Sequence, residues 1–234
     1  MSEYIGVDIS RFNMINNYEL ICKQCDFVML RAGGSDNGNP PIGFYKDKFF
    51  EERYETFTKL GIPLGAYWVV GHKFTTEADG VINAKKFIQL LRGKKFSMPV
   101  ILDYEVPTPE MRRCGTTAAI AFCRQLEKQG YYVSIYASDI SGFKDRLELD
   151  RLGSFDKWVA RYGGSKPKYV TQYGMWQYTD NGYIEGINGR VDINIAYRNY
   201  PEIMKRTGLN HIEKKWQGLN YIEKRWQNAD HNIR

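Results

Sequence analysis

The chain has 234 residues, of which 43% are hydrophobic and 15% aromatic, enough for one sizeable core and short for two large domains. No apolar run reaches the roughly 18 to 20 residues of a membrane span, and the N-terminus has no basic-then-apolar leader pattern. The net charge of +6 is uneven: from Lys205 onward seven Lys or Arg stand against three Asp or Glu, so residues 1–204 carry only +2 and the body of the chain asks for no nucleic-acid partner.

In chain order, short β-rich segments alternate with amphipathic ones. Residues 4–10 read as a strand before a helix near 18–25, and 27–32 as a strand before a charged, aromatic helix over 49–59. A strand at 64–70 precedes a helix near 77–91, a strand at 98–106 precedes a helix over 116–129 stopped by Gly130, and 132–137 is a fifth strand. Repeated β/α alternation predicts parallel strands with helical crossovers. Beyond Ala137, strands at 158–162, 175–178 and 190–197 are joined by Gly-, Tyr- and Asn-rich connections with little helical periodicity. The expected fold is therefore α/β, a modified TIM-like barrel of eight strands and about five helices with a helix-poor last third. Its site belongs at the C-terminal ends of the strands.

The fourth predicted strand ends in Asp103-Tyr104-Glu105, stopped by Val106-Pro107. Residues two apart on a strand point the same way, about 6.5 to 7 Å apart along the chain, so both acids face one cavity. One acid capping a helix and the other in a salt bridge is the bland alternative. Asp8 ends the first strand and Asp192 lies in the last, and closure makes those strands neighbours, so four carboxylates converge on one mouth. Cys22-Lys23-Gln24-Cys25 has zinc or redox spacing but no second CxxC or paired His, and Cys114 and Cys123 match no metal pattern. The cysteines read as structural or free thiols, and no metal or other cofactor is expected.

Six segments in this order resemble the family 25 glycoside hydrolases, lysozyme-type muramidases: residues 6–10, 63–68, Leu102 to Glu105, 158–162, Trp176-Gln177-Tyr178 and 191–194, spread over residues 4–200. The resemblance implies a barrel of five α/β units with three further strands, and hydrolysis of the β-1,4 bond between N-acetylmuramic acid and N-acetylglucosamine in bacterial peptidoglycan. It also implies a phage-endolysin role, with the enzyme waiting in the host cytoplasm for holin-dependent release to the wall. In such a site Glu105 is the expected general acid, its proton affinity raised by Asp103, Asp8 and Asp192. Asp103 either acts as a nucleophile or orients the 2-acetamido group for substrate assistance, which is the favoured reading, while Asp8 and Asp192 orient hydroxyls and tune the acid. Tyr67, Tyr136, Trp158 and Gln177 stand at strand positions suited to lining the groove, with core packing the competing role for Trp158. Arg31 either binds a lactyl or peptide carboxylate or pairs with one of the acids. A chitinase-like enzyme and a non-catalytic glycan-binding barrel are the alternatives; the first usually has a longer acidic run than Val100-Ile101-Leu102 supplies, and the second is expected to lose an acid.

Domain organisation is read as a catalytic barrel over residues 1–204 and a basic tail over 205–234. Residues 208–217 and 218–227 are a tandem duplication, identical at eight of ten positions. Leu209, Ile212, Trp216, Leu219, Ile222 and Trp226 recur every three or four residues, the pattern of an amphipathic helix for wall polymer, membrane, the barrel or another subunit. A poorly ordered duplicated end is the competing expectation.

Overall fold

The computed structural model describes residues 3–35, 43–105 and 109–212. Its elements are β1 (Tyr4–Ile9), β2 (Met14–Ile15), α1 (Tyr18–Gln24), β3 (Phe27–Ser35), β4 (Phe44–Lys46), α2 (Phe50–Leu60), β5 (Leu64–Val69) and α3 (Glu77–Leu91). They continue with β6 (Val100–Asp103), α4 (Arg112–Glu127), β7 (Val133–Ser138), β8 (Asp156–Ala160), β9 (Met175–Gly182), β10 (Ile187–Asn188), β11 (Val191–Ala196) and α5 (Tyr200–Thr207).

Eight strands close a barrel in the order β1, β3, β5, β6, β7, β8, β9, β11 and back to β1. The pairs from β1 to β9 are parallel, while β11 runs antiparallel to both β9 and β1. This is the expected mixed barrel, and its last third lacks crossover helices. β11 can run against its neighbours because a short turn, with β10 pairing to β2, replaces the helix that a parallel return requires.

The period of two along each strand sorts the side chains into two cores. Val7, Val28, Ala66, Val100, Leu102, Ile135 and Val159 point outward against the helices, while Phe27, Met29, Tyr67, Ile101, Tyr136, Trp158 and Met175 point inward and fill the barrel. Gly6 faces the interior where a Cβ would lie 2.5 Å from the Phe27 ring, so the ring takes the space a side chain would have used. α3 begins at the expected residue because Thr76 and Asp79 form a reciprocal capping box. Gly80 then lets α3 approach α4, since a Cβ there would meet the Ala118 carbonyl.

Four details depart from the sequence expectations. The fourth barrel strand ends at Asp103, so Glu105 stands just beyond it, and α4 starts at Arg112 rather than 116. The C-terminal helix α5 was not anticipated; it lies across the bottom of the barrel, where Tyr200 and Met204 join the interior core. The described start of the duplicated segment is not α-helical. Gly208 ends α5 in the left-handed region, and a single 3-10 turn follows in which Asn210 has φ 55°. Asn210 is fully buried: its Oδ1 accepts from Tyr132 N at 2.7 Å and its Nδ2 donates to Met98 O at 2.8 Å, stapling the chain to two strand entrances. The second repeat and the amphipathic pattern beyond Ile212 lie outside the described residues. Among the described residues no helix is long and apolar enough to cross a membrane.

Candidate active site

Inward positions at the C-terminal ends of the parallel strands carry Asp8, Arg31, Tyr67, Asp103, Tyr136, Trp158 and Gln177. The antiparallel β11 contributes Asp192, near its N-terminal end, and Asn194 two residues further on. In the β1–β11 ladder Asp8 stands directly opposite Asp192, which puts their Cβ atoms about 4.5 to 5.5 Å apart on one face. The β11–β9 register shifts on both sides of Ile193; such irregularities re-aim side chains near barrel rims. In β6, Asp103 pairs with Val69 and Tyr136. Tyr104 points the opposite way, its ring 6.2 Å from Phe74 in the helix-facing core. The alternation read from Asp103-Tyr104-Glu105 thus holds past the end of the strand.

A hydrogen-bonded scaffold fixes Asp8. Gln177 Nε2 and Asn194 Nδ2 each donate to its Oδ2 at 2.8 Å. Gln177 Oε1 accepts from Tyr136 Oη at 2.7 Å and from Tyr162 Oη at 2.6 Å, which turns its amide N–H toward Asp8. Asn194 is held in turn by Trp158 Nε1, which donates to its Oδ1 at 2.8 Å. Two N–H donors thus engage the same oxygen of Asp8. Trp158 is 1% exposed and packs edge-on under Tyr67 and Tyr136, with ring centroids at 6.3 and 4.6 Å. It therefore supports the lining residues from below. Asn194 and Tyr162 were not singled out from sequence, although Asn194 lies two residues beyond Asp192 and so shares its face.

Charge is concentrated in this mouth. Burial pushes the Asp103 carboxyl well above its ordinary range and Glu105 adds to the shift, while Arg31 opposes it. Burial also raises Glu105, again against Arg31. Asp8 is raised well above the usual value by burial and by Asp192, despite its amide donors. Asp192 is pushed up to about 6 by burial, with Asp180 and Glu105 adding and its hydrogen bond with Asp8 opposing. Neighbouring carboxylates in a poorly solvated pocket cannot all ionise easily, so this site holds its protons above the ordinary carboxylate range. Asp103 Oδ1 is buried with no hydrogen-bond partner among the described residues. Glu105 opens onto a cleft of about 420 Å³ bordered by Tyr136, Arg146, Arg161 and Tyr162, and Arg146 Nη1 donates to its backbone carbonyl at 2.9 Å.

Crowding has a measurable cost. Because the folded-state value of Asp192 lies above its unfolded one, its contribution to stability is most favourable below about pH 4 and is lost as pH rises through about 6. Asp192→Asn is expected to stabilise the fold by about 1 kcal/mol at pH 7, after discounting for solvent screening. The gain should disappear below about pH 4. Denaturant midpoints at the two pH values check this, and an equal gain at both contradicts it.

A closed α/β barrel with four carboxyls at its mouth beside an open cleft suits the chemistry of carboxylate-dependent glycosidases, in which one acid must hold a proton while another stays charged. The family model "Glycosyl hydrolases family 25" matches residues 7–187, and the chain belongs to that family. It is a glycoside hydrolase of the lysozyme type. Among its relatives, the autolytic lysozyme of Clostridium acetobutylicum is 25% identical over 150 residues, covering 64% of this chain and 44% of that protein. Among solved structures, the CTP1L endolysin superposes with a TM-score of 0.72 at 23% identity, covering 88% of this chain and 70% of the other. The modular autolysin LytC of Streptococcus pneumoniae, solved with a synthetic peptidoglycan ligand, gives a TM-score of 0.67 at 26% identity, covering 83% and 47%.

The four cysteines form no disulfide with one another. Among the described residues no group of three or more His, Cys, Asp or Glu side chains is placed to hold a metal ion.

Proposed function

We propose that the enzyme hydrolyses the β-1,4 bond between N-acetylmuramic acid and N-acetylglucosamine in bacterial peptidoglycan, with Glu105 as the general acid. The observation that carries this reading is a solvent-reachable glutamic acid with raised proton affinity, two residues beyond a buried aspartate that has a free acceptor oxygen. Glu105 gives its proton to the glycosidic oxygen as the C–O bond breaks. The carbonyl oxygen of the 2-acetamido group attacks the anomeric carbon from the opposite face and forms an oxazolinium ring. Asp103 Oδ1 accepts the acetamido N–H and stabilises the positive charge. Water activated by Glu105, now a base, then opens the ring with retention of configuration. Asp8 and Asp192, sharing a proton, orient hydroxyls and keep Glu105 protonated. Tyr67, Tyr136 and Gln177 shape the sugar site over Trp158, and Arg31 receives a carboxylate of the muramic residue. A covalent glycosyl ester on Asp103 would replace substrate assistance by a nucleophilic mechanism.

Family membership supports an endolysin-like role at the cell wall, and release from the host cytoplasm through a holin is the delivery route this reading implies. The test is digestion of purified peptidoglycan followed by borohydride labelling of the new reducing ends. N-acetylmuramitol is the expected product. N-acetylglucosaminitol would assign the other glycosidic bond, and no release by the wild-type enzyme would sink the proposal.

A further inference from the structure

The loop after β1 presents an exposed aromatic ring on an unusually firm mount. Asp47, 1% exposed, accepts from Arg11 N at 2.7 Å through Oδ2 and from Phe49 N at 3.0 Å through Oδ1. Arg53, itself buried, donates to the carbonyls of Ser10 and Asn13, both at 2.6 Å. Asn13 Oδ1 accepts from Ser10 N at 2.9 Å. These bonds lock residues 10–13 immediately beyond Asp8, yet Phe12 at their tip is 72% exposed. A single exposed apolar side chain is ordinary; one held by buried polar clamps at the rim of a site calls for an account.

The ring belongs to an alternating stack of aromatics and cations. The Arg31 guanidinium carbon lies 5.8 Å from the Tyr67 ring centroid and 5.8 Å from that of Phe12. Arg11 covers the Phe12 ring at 5.0 Å and the Tyr45 ring, on β4, at 5.2 Å. The series Tyr67, Arg31, Phe12, Arg11, Tyr45 therefore runs from inside the barrel mouth to its outer rim. Stacking of this kind orients a guanidinium while leaving its N–H edge available. Among the described residues neither Arg11 nor Arg31 has a carboxylate within ion-pair distance, and Arg31 Nε is buried without a hydrogen-bond partner. Arg31 shares the field of Asp103 and Glu105 without an ion-pair contact, and each of the two stacked guanidinium forks matches a carboxylate, which it can bind in bidentate fashion.

We propose that Arg11 and Arg31, spaced by Phe12, form an anion subsite that recognises the carboxylates of muramic-acid-containing strands. It rests on the peptidoglycan reading above and deepens it. An enzyme acting on neutral N-acetylglucosamine polymers has no use for such a pair, so the subsite makes the enzyme selective for glycan that bears lactyl or stem-peptide carboxylates.

The test compares wild type, Arg11→Gln and Phe12→Ala on soluble peptidoglycan strands with free carboxyls, and on the same strands with carboxyls capped as methylamides. Both side chains lie at the surface of a loop whose clamps are backbone bonds, and thermal unfolding confirms that the variants fold. The expected result is a KM about tenfold higher for each variant on free-carboxyl strands, with kcat retained, and no difference from wild type on capped strands. Because the lactyl carboxyl is tied up in the amide bond wherever a stem peptide is attached, peptide-bearing strands offer stem carboxylates and strands stripped by an amidase offer lactyl carboxylates: a penalty on the first assigns the stem and a penalty on the second assigns the lactyl group. Wild-type KM in the variants, or an equal penalty on capped strands, overturns the subsite. Failure of the wild type to cleave any strand overturns the peptidoglycan reading instead.

Discussion

Glu105→Gln is expected to lower kcat on peptidoglycan about a thousandfold with little change in KM or in thermal stability. Gln keeps the shape and a hydrogen bond to the leaving oxygen but supplies no proton, and positioned general acids contribute roughly 10² to 10⁴ in rate. A thousandfold corresponds to about 4 kcal/mol of transition-state stabilisation. Folding has little reason to suffer, because Glu105 lies past the end of β6 and Arg146 holds it through its backbone carbonyl, a bond that Gln keeps. The wild-type pH profile should carry the same signature. Burial favours the protonated form of Glu105 and Arg31 opposes it, with a net upward shift. Activity is therefore retained above the ordinary carboxylate range and lost as pH rises through the shifted value. Activity in Glu105→Gln within tenfold of wild type would remove Glu105 from the acid role.

The largest stability effect is expected at Asp139, a residue outside the chemistry. It opens the π-helical turn Asp139–Lys144 after β7 and is 2% exposed. Its Oδ2 accepts from Lys168 N at 2.8 Å and its Oδ1 from Val170 N at 2.9 Å and Tyr169 N at 3.1 Å. Arg161 Nη1 completes the set at 2.8 Å. One carboxylate thus satisfies three consecutive amides of the loop between β8 and β9, in a region with no crossover helix to hold it. Asp139→Ala strands those donors and an arginine at once, and breaking a buried pair of this kind costs about 3 to 5 kcal/mol. Burial alone would raise the Asp139 carboxyl, but the donors hold it below its ordinary value. Its contribution is accordingly full above about pH 4 and is lost as pH falls through the folded-state value. Urea unfolding at pH 7 and at pH 3 should show a deficit in Asp139→Ala that shrinks in acid. A deficit under 1 kcal/mol at pH 7 would show that the loop is held by other contacts. Because Arg161 and Tyr162 border the cleft beside Glu105, the variant should also lose activity before it unfolds.

The β/α order and the acid pair were legible in the sequence because each is local. A period of two over residues 100–105 places Asp103 and Glu105 on one face whatever surrounds them, and the Thr76–Asp79 box marks its helix start within four residues. The same periodicity put Asp8, Arg31, Tyr67, Tyr136 and Gln177 on inward positions. Small or exposed elements were not legible. β4 has three residues, β2 and β10 two each, and α5 follows a strand that seemed to end the barrel.

What the sequence by itself determined is the alternation that makes two cores, the repeated crossovers that make most strands parallel, and the ordered motifs that carry the family resemblance. Only the tertiary structure decided which acids meet. Asp8 and Asp192 are partners because eight strands close at one register and β11 turns antiparallel with an irregular step beside β9. Closure also aims Gln177 and Asn194 at the same oxygen of Asp8, brings Asp47 and Arg53 under the Phe12 loop, and spends the first repeat's Asn210 on sealing the barrel floor. Periodicity is set by neighbouring residues, whereas register between β1 and β11 is set by the packing of every strand between them. That collective constraint gathers four separately placed carboxyls at one mouth.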